Sequence, residues 1–188
     1  MGFGFIAGFT GDAIETGAKQ LGFKPDFIRL REGMTRINVK IKSNEESEIN
    51  GQGPDIHEDE LEMMYQKLDT LKDGDILVLA GSIPNTLPED VYEKIMERLQ
   101  DRKIQIVVDE LKNNEEIIEY GKKLQEKGAR NVLISMAGDG AILITEEGDV
   151  HISPCPKGEV KNSVGAGDSM VAGFLTGYLT AGAYKEAL

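Results

Sequence analysis

The positions of apolar residues along the chain predict strands and helices that follow one another in alternation. Short, nearly continuous apolar runs, such as residues 75–80 and 104–109, are typical of strands that are buried on both faces of a sheet. Apolar residues spaced three and four positions apart, as in residues 57–71, are typical of amphipathic helices. This alternation favours a doubly wound, mostly parallel α/β sheet with flanking helices, which binds ligands at the carboxyl ends of its strands.

The pattern also predicts where each element lies. The predicted strands are residues 3–7, 27–30, 36–42, 46–50, 75–80, 104–109, 131–135, 141–144 and 150–152. The predicted helices are residues 12–21, with Asp12 as the cap after a turn at 8–11, and residues 57–71, 89–101, 114–128 and a last helix from about 166. The pattern of residues 27–50 predicts a small antiparallel element that can act as a lid. We predict that residues 1–188 form one domain, which includes this lid.

Composition and charge narrow the classes of partner that the chain can have. The 188 residues carry a net charge of -12, which argues against the basic face that nucleic acids and anionic membranes require. Cys155 is the one cysteine, so no intramolecular disulfide framework can form. No signal peptide or transmembrane segment is visible in the sequence, and we therefore expect a cytoplasmic location.

The run of residues 162–174 carries the clearest chemistry in the chain. The small residues 165–167 precede Asp168, and apolar residues at helical spacing follow, which predicts a tight loop that opens a helix. Such a loop can bind an anion, because the first N–H groups of a helix lack internal partners and lie at the positive end of the helix dipole. A carboxylate beside an anion site fits a base that activates a hydroxyl for attack on a phosphoryl group. The alternative is an aspartate that only caps the helix.

Residues 162–174 also resemble a known family signature. Their sequence, N-S-V-G-A-G-D-S-M-V-A-G-F, resembles the second signature of the PfkB (ribokinase-like) sugar kinases. Further segments resemble the 1-phosphofructokinase and tagatose-6-phosphate kinase branch of that family and occur in the family's order. They are residues 8–11, 35–40, 48–50, 79–84 and 135–141.

The resemblance implies a sugar-phosphate kinase with a ribokinase-like fold. It implies that ATP with Mg²⁺ phosphorylates the primary hydroxyl of a ketohexose phosphate. The first choice of acceptor is fructose 1-phosphate, which would give fructose 1,6-bisphosphate, and the second is tagatose 6-phosphate. By the same resemblance Asp168 is the catalytic base, and three backbone amides form the anion hole for the transferred group. These amides belong to Gly165, Ala166 and Gly167.

A second glycine-rich loop, residues 135–140, follows a predicted core strand. Its glycines can let the backbone approach phosphate oxygens or adopt positive φ, whereas a plain hairpin turn is the alternative. In the PfkB family this loop lies along the nucleotide phosphates, so the resemblance implies a set of residues that bind ATP. They are Ser135, Gly138, Gly140 and, from the later loop, Asn162. The sequence identifies no metal ligands.

Arg36 is the candidate that holds the phosphate of the sugar substrate. A guanidinium offers two parallel hydrogen bonds to phosphate oxygens, and Asn38 and Lys40 follow Arg36 on the predicted lid. The alternatives are a solvated cross-strand pair for Arg36 and a merely solubilising role for Lys40. In the PfkB family the lid also pairs between subunits, so the resemblance implies a homodimer.

The chain departs from the PfkB pattern at both ends and in the middle. A substrate-binding aspartate and a Gly-Gly-Lys-Gly-like loop are expected before Met1, and the helices that complete the adenine pocket are expected after Leu188. After Asp109 the family has a further strand and helix that contain an Asn-x-x-Glu motif. Asn113 and Glu116 match the letters of this motif. Their position, however, predicts that they cap a helix. We therefore expect a truncated, internally shortened kinase. The alternatives are an inactive fragment that binds nucleotide, sugar phosphate or a partner subunit, and a phosphatase with the same anion hole.

Overall fold

The computed structural model shows alternating helices and strands in two compact units. The residues that it describes are 1–42, 46–80, 83–88, 90–109, 117–126, 128–158 and 165–187. The first unit comprises Met1–Thr70 with Ile83–Val91, and the second comprises Leu71–Ser82 with Tyr92–Leu188. The alternation confirms the predicted α/β class, while the single domain over residues 1–188 stays a prediction.

The first unit combines two small sheets with two helices. Its elements are β1 (Phe5–Ile6), α1 (Gly8–Gln20), β2 (Ile28–Arg29), β3 (Asn38–Lys42), β4 (Glu46–Asn50) and α2 (Glu58–Leu68). β1 and β2 are parallel, whereas β3 and β4 form an antiparallel hairpin. The antiparallel part of the predicted lid is therefore this hairpin, because β2 pairs with β1 instead. The core beneath α1 and α2 is apolar, with Ile6, Ala7, Ile28, Leu30, Met64 and Leu68 buried.

The second unit contains the remaining elements. They are β5 (Ile76–Ala80), α3 (Val91–Leu99, whose first residue lies in the first unit), β6 (Gln105–Asp109), α4 (Ile117–Glu126), β7 (Val132–Ser135), β8 (Ala141–Ile144), β9 (Val150–Ser153), α5 (Ala166–Ala181) and α6 (Tyr184–Ala187). β5 and β6 are parallel, and β7, β8 and β9 form an antiparallel sheet in that order. The predicted helix over residues 114–128 includes positions outside the described residues.

One buried cluster joins α5 to the strands of the second unit. α5 contacts β6 and β7, and its apolar residues Val171 and Phe174 are almost fully buried. They share a cluster with residues of β6, β7 and β8, namely Val107, Leu133, Ala141 and Leu143. This packing attaches the helix that carries Asp168 to the strand that leads into the second glycine-rich loop. Among the described residues, no helix is both long enough and apolar enough to cross a membrane.

The start of α1 differs from the prediction. We predict a turn at residues 8–11 with Asp12 as the helix cap, but the helix begins at Gly8 and follows the extended residue Ala7. The reason is a tertiary contact, since the Ala7 N–H donates a hydrogen bond of 2.8 Å to the Thr35 hydroxyl. Asp12 does not cap the helix, and its carboxylate accepts a hydrogen bond of 2.6 Å from Arg29.

Candidate functional site

Gly165, the described residue that directly precedes α5, opens the helix as the glycine-rich run predicts. Gly165 precedes the helix with φ 74° and ψ 14°, in the left-handed region that favours glycine. The first hydrogen bond of the helix runs from the Ser169 N–H to the Gly165 carbonyl oxygen over 2.9 Å. The N–H groups of residues 166–168 precede this bond and therefore have no acceptor inside the helix. These groups and the positive end of the helix dipole make the start of α5 suitable for an anion.

Asp168 lies within the first turn of α5 and is exposed to solvent. Its Oδ2 atom lies 4.0 Å from the place where a β-carbon on Gly165 would stand. The carboxylate is therefore close to the residue that opens the helix. A base in this place can meet a substrate hydroxyl from solvent while the preceding amides face a phosphoryl group.

The second glycine-rich loop closes the hairpin between β7 and β8. Ser135 is the last residue of β7, is half-buried and pairs in register with Ala141. The Met136 N–H donates to the Gly140 carbonyl oxygen over 2.8 Å, and the Asp139 N–H donates to the Met136 carbonyl oxygen over 3.0 Å. Residues 137–139 form a single tight 3-10 turn. This loop therefore has the geometry of a hairpin turn, which is the alternative that the sequence leaves open.

The two glycines of this hairpin have different surroundings. Gly140 has φ +104°, and a β-carbon there would lie 2.0 Å from the carbonyl oxygen of Ser153. Gly140 is therefore required by packing. Gly138 is exposed, and no atom of the described residues lies within 4 Å of the point where its β-carbon would stand. Of the two, Gly138 is the one whose backbone a phosphate can approach.

The buried cluster of the second unit holds both loops on one core. Leu133 and Val171 both belong to that cluster. Leu133 lies two positions before Ser135, and Val171 lies three positions after Asp168. The structure thus attaches the two predicted loops to the same packed layer. Asn162, the remaining predicted nucleotide ligand, lies outside the described residues.

The predicted sugar-phosphate residues all lie in the first unit, on and before β3. Arg36 is half-buried, while Asn38 and Lys40 are exposed on β3. Asn38 pairs in register with Asn50, and Lys40 pairs with Glu48. Because side chains alternate between the two faces of a strand, Asn38 and Lys40 share one face of the hairpin.

Thr35 and Thr10 are residues whose roles the sequence does not reveal. The Thr35 N–H donates to the Ala7 carbonyl oxygen over 2.9 Å, and the Thr10 hydroxyl donates to the Thr35 carbonyl oxygen over 2.9 Å. These bonds tie the residue before Arg36 to the first turn of α1. In the sequence, the one indication of a role for Thr35 is that it belongs to the same family-like segment, residues 35–40, as Arg36.

The described residues fit a magnesium ion carried by a nucleotide better than an ion held by protein alone. Within them, no group of three or more His, Cys, Asp and Glu side chains could hold a metal ion. Magnesium at phosphoryl-transfer sites is usually bound by one or two carboxylates together with substrate phosphates and water. A magnesium ion that enters with the nucleotide phosphates needs no such group of protein ligands.

Comparison with protein families gives a match over almost the whole chain. The model described as pfkB family carbohydrate kinase matches residues 3–113 and residues 104–188. The 1-phosphofructokinase of Bacillus subtilis is 43% identical over 204 residues, which cover 93% of this chain and 67% of the relative. The 1-phosphofructokinase of Borreliella burgdorferi is 34% identical over 203 residues, with 92% of this chain and 66% of the relative covered.

A relative with a different named substrate matches the same part of the chain. The D-tagatose-1-phosphate kinase of Bacillus licheniformis is 30% identical over 203 residues, covering 92% of this chain and 66% of that protein. The chain thus spans about two thirds of the length of the curated relatives that it matches. The name of this relative refers to tagatose 1-phosphate rather than to the tagatose 6-phosphate that the motifs suggest.

Solved structures support the same fold. A Staphylococcus aureus protein assigned as a phosphofructokinase has a TM-score of 0.75 and 31% identity, with 98% of this chain and 70% of that chain covered. The tetrameric inhibited form of phosphofructokinase-2 from Escherichia coli has a TM-score of 0.75 at 20% identity, covering 96% of this chain and 70% of its own. The second likeness concerns the fold alone, and together they confirm the predicted ribokinase-like class.

The comparisons also support the predicted internal shortening. The alignment with the Bacillus subtilis relative extends over 204 residues, which exceeds the 188 residues of this chain. The relative therefore has residues inside the aligned region that this chain lacks. The two family matches share residues 104–113, which include β6 and the positions where the sequence predicts the missing strand and helix.

Proposed function

Because this chain belongs to the pfkB family of carbohydrate kinases, we propose that it transfers the γ-phosphoryl group of ATP to a ketohexose phosphate. Fructose 1-phosphate is the first choice of acceptor, since two relatives that cover more than nine tenths of the chain are named 1-phosphofructokinase. The observation that carries the proposal is the start of α5, where the exposed Asp168 carboxylate lies close to a left-handed glycine and to amides that have no acceptor inside the helix. Tagatose 1-phosphate and tagatose 6-phosphate are the alternative acceptors. The requirement for ATP agrees with the cytoplasmic location that the sequence predicts.

Asp168 acts as the general base in this mechanism. The carboxylate accepts the proton of the acceptor's primary hydroxyl, and the resulting alkoxide oxygen attacks the γ-phosphoryl group in line with the leaving ADP. The exposed position of Asp168 leaves its oxygens accessible to a sugar.

The amides of Gly165, Ala166 and Gly167 stabilise the charge that develops on the transferred group. Those of Ala166 and Gly167 lie ahead of the first helical hydrogen bond and can point at equatorial phosphoryl oxygens, with the left-handed Gly165 setting their direction. Such donors are already in place before the reaction, so they need no reorganisation when the charge appears. When bound, Mg²⁺ neutralises charge on the nucleotide phosphates.

The nucleotide lies along the hairpin loop in this proposal. The exposed Gly138 offers backbone without a side chain, and Ser135 offers a hydroxyl at the end of β7. Gly140 keeps the loop closed, because its carbonyl oxygen accepts a hydrogen bond from the Met136 N–H. Asn162 is proposed as a further nucleotide ligand from its place in the signature.

Arg36 holds the phosphate that is already present on the sugar. Its guanidinium can form two parallel hydrogen bonds to phosphate oxygens, whereas the Lys40 ammonium adds a point charge and Asn38 an uncharged donor. Asn38 and Lys40 lie on the same face of the β3–β4 hairpin, with Arg36 two positions before Asn38. The hairpin therefore serves as the lid over the sugar phosphate.

The other face of the hairpin suits a homodimer. Val39 and Ile49 pair in register, and the apolar residues of this face are exposed. They are Ile37, Val39, Ile41 and Ile49.

We expect a dimer by size-exclusion chromatography with light scattering, and a monomer for the double variant Val39→Lys with Ile49→Lys. Ile152→Lys replaces an exposed isoleucine of β9 and is the matched control that should leave the dimer intact.

A coupled assay for ADP release tests the proposed reaction. With ATP, Mg²⁺ and fructose 1-phosphate, we expect turnover that falls by about 10²- to 10⁴-fold in Asp168→Asn, because a positioned base contributes that much. Glu147→Gln, which removes an exposed carboxylate from the turn between β8 and β9, is the matched control and should leave turnover unchanged.

The same assay separates the alternatives. Faster turnover with a tagatose phosphate would replace the acceptor and keep the kinase mechanism. A folded chain that binds ATP without turnover would instead be the inactive fragment. Release of inorganic phosphate from fructose 1,6-bisphosphate without nucleotide would indicate the phosphatase.

A further inference from the structure

Thr35 fastens the residue before Arg36 to the start of α1. Its hydroxyl oxygen accepts a hydrogen bond of 2.8 Å from the Ala7 N–H and lies 3.3 Å from the Ala7 carbonyl oxygen. Its own N–H donates to that carbonyl over 2.9 Å, and its carbonyl accepts from the Thr10 hydroxyl over 2.9 Å. Ala7 is buried and Thr35 is half-buried, so this contact is partly shielded from water. The backbone entering Arg36 therefore has a set position relative to α1.

Glycines crowd the same junction on two sides. A β-carbon on Gly11 would lie 3.0 Å from the Thr35 hydroxyl oxygen, so the first turn of α1 leaves room only for a glycine beside Thr35. On the other side, β-carbons on Gly51 and Gly53 would lie 3.4 Å and 3.6 Å from the Cβ atom of Arg36. The Gly51 N–H also donates to the Ile37 carbonyl oxygen over 3.3 Å. The Cβ atom of Arg36 thus lies within packing distance of the single segment that contains Gly51 and Gly53.

We propose that Thr35 is a positioning residue that sets the direction of the Arg36 guanidinium toward the sugar phosphate, an inference that rests on the proposed function. A bidentate contact between guanidinium and phosphate depends on geometry, because both N–H···O bonds must align at once. The Thr35 hydroxyl is both acceptor and donor in its contact with Ala7. Valine has the same shape without either capacity, while serine keeps both.

Equilibrium binding of fructose 1-phosphate, measured by calorimetry, tests the proposal with the full chain. Thr35→Val should raise the Kd for fructose 1-phosphate about tenfold, as expected when a charge-assisted hydrogen bond is misaligned. Thr35→Ser should bind like the wild type. Thr16→Val changes an exposed threonine of α1 in the same way and is the matched control, which should also bind like the wild type.

A double variant distinguishes positioning from a general loss of structure. If Thr35 acts through Arg36, Thr35→Val should cause no further loss of binding in the Arg36→Ala background. An equal loss in both backgrounds, or a loss in Thr35→Ser as large as in Thr35→Val, would overturn the proposal. If Thr35→Val fails to fold, Thr10→Val removes the bond to the Thr35 carbonyl and should weaken binding several-fold in the wild-type background only.

The wild-type measurement separates this inference from the proposed function. A wild type that does not bind fructose 1-phosphate or either tagatose phosphate would reject the proposed sugar-phosphate site and the role of Thr35 with it. A wild type that binds one of them, with unchanged affinity in Thr35→Val, would reject the role of Thr35 alone. Where turnover is measurable, Thr35→Val should raise KM and leave kcat near the wild-type value, because Arg36 contacts the phosphate that does not react.

Discussion

Gly140 and Ser153 approach each other so closely that a β-carbon on Gly140 would lie 2.0 Å from the Ser153 carbonyl oxygen. The nitrogen of Cys155 would be 2.8 Å from the same point, so backbone atoms leave no room there. Gly140 also has φ +104°, which residues with a side chain rarely adopt. The loop that we propose for nucleotide binding is thus shaped by its packing against the end of β9 and the residues that follow it.

Gly140→Ala should destabilise the protein much more than Gly138→Ala. The alanine would combine backbone strain with a steric clash against backbone atoms, which together should cost about 2–4 kcal/mol of unfolding free energy. No atom in the described part of the chain lies near a β-carbon on Gly138, so this position should tolerate alanine with little change in stability. Urea unfolding of both variants checks this difference. Similar stabilities would mean that the loop can move away from residues 153–155.

Glu60 should be the residue of the first turn of α2 whose loss costs most. Its carboxylate accepts a hydrogen bond of 3.0 Å from the His57 N–H at the residue before the helix, and Glu60 is only 3% exposed. Glu60→Ala should lower the unfolding free energy by about 1 kcal/mol, as expected for a lost helix cap. Glu60→Gln keeps an acceptor oxygen and should cost less.

Thermal and urea unfolding measure both Glu60 variants. Glu58→Ala, in the same turn but exposed, removes only the favourable interaction with the helix dipole, which is worth about 0.5 kcal/mol. Equal effects of Glu58→Ala and Glu60→Ala would show that charge at the helix start matters and that the hydrogen bond to His57 does not.

The order and approximate bounds of the elements could be predicted from the sequence, because they follow from local apolar spacing. β4 at residues 46–50 and β8 at residues 141–144 agree with the predicted ranges. The start of α1 could not be predicted, since it depends on the Thr35 hydroxyl, which is 28 positions away from Ala7. Local patterns contain no information about such tertiary hydrogen bonds.

The candidate site was predictable to a different degree in each loop. The glycine-rich run before α5 specifies its own geometry, because Gly165 takes a left-handed conformation and the helix follows at once. The loop of residues 135–140 was ambiguous, because both a hairpin and a phosphate loop use glycines. The structure shows the hairpin, and the close approach of Gly140 to Ser153 depends on a strand that follows later in the chain.

Tyr184 should make stability fall at alkaline pH. Its hydroxyl donates to the Glu146 carboxylate over 3.2 Å, and its ring stacks on Tyr178 with 4.8 Å between centroids. Burial, followed by the hydrogen bond with Tyr178, raises the pKa of Tyr184 above its ordinary value of 10.0. The folded state therefore keeps the proton where the unfolded state loses it, and the unfolding free energy decreases as pH rises above about 10.

Comparison with Tyr184→Phe isolates this effect from other titrating groups. The difference in unfolding free energy between wild type and variant should be constant below pH 9. As pH rises from about 10, the unfolding free energy of the wild type should decrease relative to that of the variant. The slope should stay below the one-proton limit of about 1.4 kcal/mol per pH unit, because solvent screens a half-exposed ring. Urea unfolding at several pH values measures it, and a pH-independent difference would contradict the raised pKa.

Gly165 and Gly182 form a matched pair at the two ends of α5. Gly165 has φ 74° and Gly182 has φ 67°, and both flank the helix in the left-handed conformation. Among the described residues, an alanine at either position has no close backbone neighbour, since the nearest such atom to a β-carbon at Gly165 is Asp168 Oδ2 at 4.0 Å and none lies within 4 Å of Gly182. Each substitution should therefore cost a similar backbone strain of about 1–2 kcal/mol.

Turnover should separate the two variants even though their stabilities are alike. In Gly165→Ala the amides of residues 166–167 would change direction and the new methyl group would approach the Asp168 carboxylate. We therefore expect kcat to fall on the order of 10²-fold, as for a catalytic group misplaced by about 1 Å. Gly182→Ala changes the far end of the helix and should keep the wild-type kcat. Equal activity of the two variants at equal stability would mean that the direction of the α5 amides does not contribute to phosphoryl transfer.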